Sequence, residues 1–129
     1  MILIDTSVWI EFFKQNAEYT EEINPLLLRK QVVTIEPVFS ELLFGVRQKK
    51  DKDLILSYWQ ILPKIEFGTT SMLRVAEFAN DNYFYQSGIG LMDAIIIKSA
   101  IDGNHAIWTL DKNINNFIDK KYIYEYRVE

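Results

Sequence analysis

The stretch Met1-Ile-Leu-Ile-Asp-Thr-Ser-Val-Trp9 decides how the fold is read. Ile2 to Ile4 is a short apolar run that ends on an acid, the pattern of a strand buried on both faces. Thr6 and Ser7 can cap a helix that carries Val8, Trp9, Ile10, Phe12 and Phe13. A buried strand therefore passes directly into an apolar helix, with Asp5 at the junction.

The same alternation continues along the chain. Asn24-Pro25 signals a helix start leading into Leu26 to Lys30, and β-branched Val32 to Ile35 reads as a second strand. Pro37 opens a helix with Phe39, Leu42, Leu43 and Val46 on one stripe. Asp53 to Leu62 predicts another helix, stopped by Pro63, and Ile65 to Phe67 a third strand. A long helix is expected from Thr70 to Tyr85, ending near Ser87-Gly88, and another from Leu91 to Ile101, closed by Gly103. Ala106 to Leu110 reads as a fourth strand, Asn113 to Ile118 as a short helix and Tyr122 to Tyr126 as a last strand. The expected architecture is α/β: one domain over residues 1–129, with a mostly parallel, twisted sheet of four to five strands and helices on both faces. In such sheets ligands bind beyond the carboxyl ends of the strands, where strand order reverses.

Composition narrows the function classes. With no cysteine, disulfides and thiolate metal sites are excluded, and the cytoplasm is the expected compartment. The opening residues reach an acid at Asp5 without a basic leader, so no signal peptide is expected, and no apolar run is long enough to suggest contact with a membrane. A net charge of −4 is not the basic footprint of a typical nucleic-acid binder. A metal nuclease must nevertheless carry acids for its ions, and each divalent ion adds two positive charges locally. Arg47, Lys49, Lys50 and Lys52 cluster, interrupted by Asp51 and Asp53, and read equally as a solvated helix end.

Four of the 18 acidic residues stand apart by position. Asp5 and Asp111 each follow a strand directly, where an aspartate either caps the next helix or faces the ligand crevice. Glu41 shares a helix face with Pro37 and Gly45, and a glycine inside a helix suggests close approach by another group. Asp93 lies in a first helical turn, aligned with Ile96, Ile97 and Ala100, where an acid is desolvated unless something pairs with it. Carboxylates without cysteine, beside a single histidine, favour the hard cations Mg²⁺ or Mn²⁺. Such an ion, with substrate phosphate completing its shell, activates water for phosphodiester hydrolysis. His105 is expected at the start of a strand, the wrong end for a general base. Gly88-Ile-Gly90 lacks the context of a phosphate loop, and the three tryptophans read as core or rim.

The segments Ile2 to Trp9, Ile35-Glu-Pro-Val-Phe-Ser-Glu-Leu-Leu-Phe-Gly45, Gly90-Leu-Met-Asp93 and Trp108-Thr-Leu-Asp111 followed by Phe117 resemble PIN-domain ribonucleases, in particular the VapC-type toxins of bacterial toxin–antitoxin pairs. The resemblance runs along essentially the whole chain. It implies an endoribonuclease using Mg²⁺ or Mn²⁺ that leaves a 5′-phosphate and a 3′-hydroxyl. It also implies a homodimer and a cognate antitoxin whose tail blocks the active site. Carried over by position, Asp5, Glu41, Asp93 and Asp111 are the acidic ligands, with Thr6 and Thr109 holding carboxylates or waters behind them. Asn113 stands where some relatives place a further acid, and Trp108 is larger than the residue often found before the threonine. Arg47, Lys49 and Lys50 are candidate RNA contacts, and the aromatic stretch Phe78 to Tyr85 a candidate dimer patch.

Two other readings stand beside this one. An aspartyl-phosphate phosphatase of α/β fold needs a second acid two residues after the first, where this chain has Ser7. A PIN-like binding module without turnover would keep the acids for structure or partner contact.

Overall fold

In the computed structural model, which describes residues 1–125, the opening run forms β1 (Ile2–Ile4), buried along its length. The chain continues through α1 (Thr6–Phe13) and α2 (Ala17–Leu28) to β2 (Val32–Ile35), then through α3 (Glu36–Gly45) and α4 (Lys49–Ile61) to β3 (Lys64–Ile65). It returns through α5 (Ser71–Asp81), α6 (Phe84–Ser87) and α7 (Leu91–Gly103) to β4 (Ala106–Trp108), and closes with α8 (Lys112–Phe117) and a 3₁₀ turn at Lys120–Tyr122.

Among the described residues the sheet has four strands in the order β3-β2-β1-β4, all parallel. From β1 the chain steps one way to β2 and β3, then crosses back to place β4 on the other side of β1. The crevice at the carboxyl ends therefore lies between β1 and β4. Right-handed crossovers put α1–α4 and α5–α7 on opposite faces. The principal helix contacts agree: α1 packs with α2 and α3, and α3 with α4, while α5 packs with α6 and α7. Leu3, Ile4, Ile35, Ile95, Ile97 and Ile107 are fully enclosed between the layers. Each contributes on the order of 1.5–3 kcal/mol by leaving water. Trp9 and Trp108 belong to this core, while Trp59 is half-buried with Lys64 over its ring. Among the described residues no helix is long and apolar enough to cross a membrane.

Several local expectations are corrected. Asp5 rather than Thr6 or Ser7 is the cap of α1, accepting from the Thr6 amide. Pro25 lies inside α2, which starts after Asn16, whose side chain accepts from the Glu18 amide. The helix tolerates the proline near its end because Ile23 and Leu26 anchor that turn in the core. Helix α4 begins earlier than the apolar pattern suggests, and β3 is only two residues long. Among the described residues the final segment adds no ladder strand: Ile123 makes a parallel bridge to Ile107, while Tyr126 lies outside the described residues. Shortening of β4 to Ala106–Trp108 frees Thr109 and Leu110 for the crevice.

The helix expected to reach Tyr85 stops at Asp81. Tyr83 adopts the left-handed conformation (φ 58°, ψ 35°) and redirects the chain so that Phe84 enters the core against Phe78 and Phe117. A left-handed tyrosine is strained, and its side chain is exposed. Tyr83→Asn is expected to raise stability by about 1 kcal/mol, since Asn tolerates this region. A urea midpoint at or below the wild-type value would contradict it.

Candidate active site

Register builds the site. Ile4 pairs with Trp108, and the Asp5 amide donates to the Trp108 carbonyl at 2.9 Å, so the two strand exits lie side by side. Asp5 is 7% exposed and Thr109 6%. Asp5 Oδ1 accepts from the Thr6 amide at 2.7 Å; Oδ2 accepts from Ser7 Oγ at 3.0 Å and Thr109 Oγ1 at 2.7 Å. Each hydroxyl in turn accepts a backbone amide of the β4 exit, Ser7 from Leu110 (3.1 Å) and Thr109 from Asp111 (3.0 Å). Asp5 and Asp111 are thus both caps and crevice acids. Asp111 Oδ1 accepts from the amides of Asn113 (2.8 Å) and Ile114 (3.4 Å), which begins α8.

The other two acids arrive from helices on opposite faces. Thr6 Oγ1, in the first turn of α1, donates to Glu41 Oε1 of α3 at 3.1 Å and draws that exposed carboxylate toward the strand exits. Asp93 is half-buried in the first turn of α7. Burial raises its carboxyl above the ordinary aspartate value of 3.8, and the negative charges of Asp111, Asp5 and Glu41 push it the same way, against a backbone hydrogen bond at Gly90. Asp93 therefore lies within electrostatic reach of the other three acids.

Every donor in this set is an oxygen, which fits a hard divalent cation and would relieve the apposition at Asp93. Among the described residues no three His, Cys, Asp or Glu side chains close on one point as a ready cage.

The remaining sequence candidates divide. Thr6 and Thr109 position carboxylates through their hydroxyls. Asn113 donates its amide Nδ2 to the Gly88 carbonyl at 3.3 Å, tying α8 to the loop before α7 rather than reaching the acids. Arg47 is exposed just beyond α3, and Lys49 and Lys50 are exposed in the first turn of α4. His105 precedes β4, away from the carboxyl ends, and its imidazole is pushed below the ordinary value by burial and by the amino terminus. Ser7 is the positioning residue that sequence reasoning overlooks. A serine two positions after a strand-end acid is the available signal, but its bond to Leu110 requires the β1–β4 pairing.

A family model of the PIN domain matches residues 2–120. The chain belongs to the PIN-domain family. The family is one of nucleases, which places the chain among hydrolases that act on nucleic acid. No curated protein matches the chain significantly in sequence. Among solved structures, this PIN domain is similar to a chain of VapBC2 from Rickettsia felis bound to a DNA fragment from its promoter. That match has TM-score 0.71 at 20% identity and covers 97% of this chain and 98% of that one. It is also similar to a chain of FitAcB from Neisseria gonorrhoeae, with TM-score 0.60, 18% identity and coverage of 88% and 90%. At these identities the likeness is one of fold.

Two outcomes follow from the geometry. Thr109→Val removes a donor from Asp5 and leaves the Asp111 amide unpaired, so it is expected to destabilise the domain by about 1–3 kcal/mol, whereas Thr109→Ser stays close to wild type. Equal urea midpoints for the valine and serine variants would contradict this. Because the Asp93 carboxyl is raised, its contribution to stability is complete below pH 3.8 and is lost as pH rises through the raised value. Asp93→Asn should therefore raise the metal-free melting temperature at pH 7 and change it less at acidic pH. A lower melting temperature for the variant at pH 7 would show that the acid is stabilising instead.

Proposed function

We propose that this PIN domain is a metal-dependent endoribonuclease, the toxin of a toxin–antitoxin pair. The observation that carries the reading is the convergence of Asp5, Glu41, Asp93 and Asp111, from four chain segments, at the β1–β4 switch point. Asp5, Asp93, Asp111 and Glu41 would hold Mg²⁺ or Mn²⁺, directly or through water. The bound ion supplies an activated water and stabilises charge on the phosphate oxygens.

The chain's own groups do the positioning. Thr109 and Ser7 fix Asp5 so that Oδ2 accepts from two hydroxyl donors while Oδ1, with one amide donor, retains further acceptor capacity. Thr6 steadies Glu41. Burial and the neighbouring carboxylates hold the Asp93 carboxyl above its ordinary value, an unfavourable apposition that a bound cation would offset. The bond from Ser7 to Asp5 Oδ2 also disfavours the phosphatase alternative, since Ser7 occupies the second acid's place as a donor to the first.

RNA as substrate, a cognate antitoxin and a homodimer all belong to this proposal. The antitoxin is supported by the fold shared with chains of VapBC2 and FitAcB. Tyr83 and Tyr85, exposed beside each other in the Phe78 to Tyr85 stretch, are available to a dimer contact. Arg47, Lys49 and Lys50 are available to phosphates.

The test is cleavage of a mixed RNA pool by the purified protein with Mg²⁺, with Mn²⁺ and with chelator. Metal-dependent cutting is expected, falling by 10²-fold or more in Asp5→Asn, on the order of the loss when a preorganised charge-stabilising group is removed. Cutting that persists in chelator, or undiminished in the variant, would refute the reading.

A further inference from the structure

Helix α3 carries a glycine that the fold does not require. Gly45 has no positive φ, and a Cβ built on it would meet no atom within 4 Å. Its place on the Pro37–Glu41–Gly45 face suggests close approach by another part of the chain, yet none is there. Glycine is among the poorest helix formers, so a residue with a side chain would fit this position better if only the helix mattered.

What the missing side chain leaves open is a cleft of about 320 Å³ beside the acids, between α1, α3 and α4. That is at the small end of the roughly 300–1,000 Å³ typical of ligand sites. Its walls include Ile10, Phe13, Leu42, Val46 and Leu54. Glu41 belongs both to the cleft and to the acid cluster, so an occupant would lie next to the reacting phosphate. Besides Glu41, Lys14 and Asp51 add one cationic and one further anionic group to a lining whose other side chains are apolar. Immediately beyond Gly45 the chain runs through the exposed Arg47, Lys49 and Lys50, with Lys49 3.9 Å from Asp53.

We propose that this cleft is a nucleobase subsite, in which one unstacked base flanking the scissile phosphate is held against Phe13 and Leu42, with Gly45 keeping it open. A base is flat and apolar on its faces and polar at its edges, which matches apolar walls with Lys14 and Asp51 at the margin. The exposed Arg47 and Lys50 beyond the cleft match the phosphates on either side of that base, and Glu41, shared between the cleft and the acid cluster, places the occupant beside the nuclease acids, which points to a nucleic acid. A base stacked in a duplex cannot enter a cleft of this kind, so the substrate region is single-stranded. The proposal rests on the nuclease reading of the adjoining acids and deepens it.

The experiment uses the full chain with methyl-labelled isoleucine and leucine. Each of the four nucleoside 5′-monophosphates is titrated by NMR, with ribose 5-phosphate as the baseless control, and the random RNA pool is digested in parallel. Shifts concentrated on the Ile10, Leu42 and Leu54 methyls are expected for at least one nucleotide and not for ribose phosphate. Affinity should fall on the order of tenfold in Gly45→Leu, the scale of one lost base contact. The variant's melting temperature should equal or exceed that of wild type, which separates a filled cleft from a damaged fold. In the pool, base preference at one position beside the cut should flatten in Gly45→Leu. Equal shifts with ribose phosphate, no shifts at these methyls, or an unchanged base preference in the variant would overturn the subsite and leave the cleft to another occupant, such as a peptide. Nucleotide binding in the cleft without cutting of the pool would instead overturn the ribonuclease reading and leave the subsite standing.

Discussion

The hydrogen bonds that converge on Asp5 hold the rest of the arrangement in place. Ser7 and Thr109 each have one hydroxyl proton, and both direct it to Asp5 Oδ2 while accepting backbone amides from the exit of β4. The carboxylate therefore does two jobs at once. It caps α1, and through two hydroxyls it fastens the β4 exit to the β1 exit. Hydrogen bonds to a charged group contribute about 1.5–3 kcal/mol each, more than neutral ones. Moving Asp5 would uncap α1, release Leu110 and Asp111, and with them the start of α8.

That rigidity explains how the fold supports a cluster of like charges. Apposed carboxylates repel, and the raised Asp93 carboxyl is the visible cost. Asp5 and Asp111 are each bound to amide or hydroxyl donors that compensate their charge locally, and Glu41 has Thr6. Asp93 has burial against it and only Gly90 in its favour among its causes, so it absorbs the strain of the group. An ion with two positive charges would remove that strain. On the proposed metal-dependent reading, stability without the ion and function with it would be in tension at that one residue.

Much of this was legible from local pattern. The apolar runs ending at Asp5 and Asp111, with helices between them, predict a parallel sheet with acids at its carboxyl ends, and the periodicity around Asp93 predicts its partial burial. What local pattern cannot reach is pairing. The role of Ser7 depends on Ile4 lying against Trp108, a contact about a hundred residues away in sequence. Asn24-Pro25 looks like a helix start, but Asn16 had already capped the helix upstream and core contacts carry it through the proline. Tyr83 gives no sign of a left-handed conformation, because tyrosine does not favour one; the demand comes from burying Phe84 against Phe117. Asn113, read as a place for a further acid, is engaged by Gly88 across the crevice rim.

Helix α3 joins the two parts of the site by geometry alone. Glu41 and Gly45 are four residues apart, just over one turn, or about 6 Å along the axis. They share a face, so any rotation or slide of α3 moves the acid and the cleft wall together. Leu42 and Phe39 hold that rotation from the buried side, and Phe39 packs edge-on against Trp9 of α1, whose first residue binds Glu41. The distance between acid and cleft is thus set by helix pitch, and the orientation by an aromatic contact in the core. A fold that varied its cleft lining along α1 and α4 could change which base fits while leaving the acid in register, because neither of those linings carries Glu41.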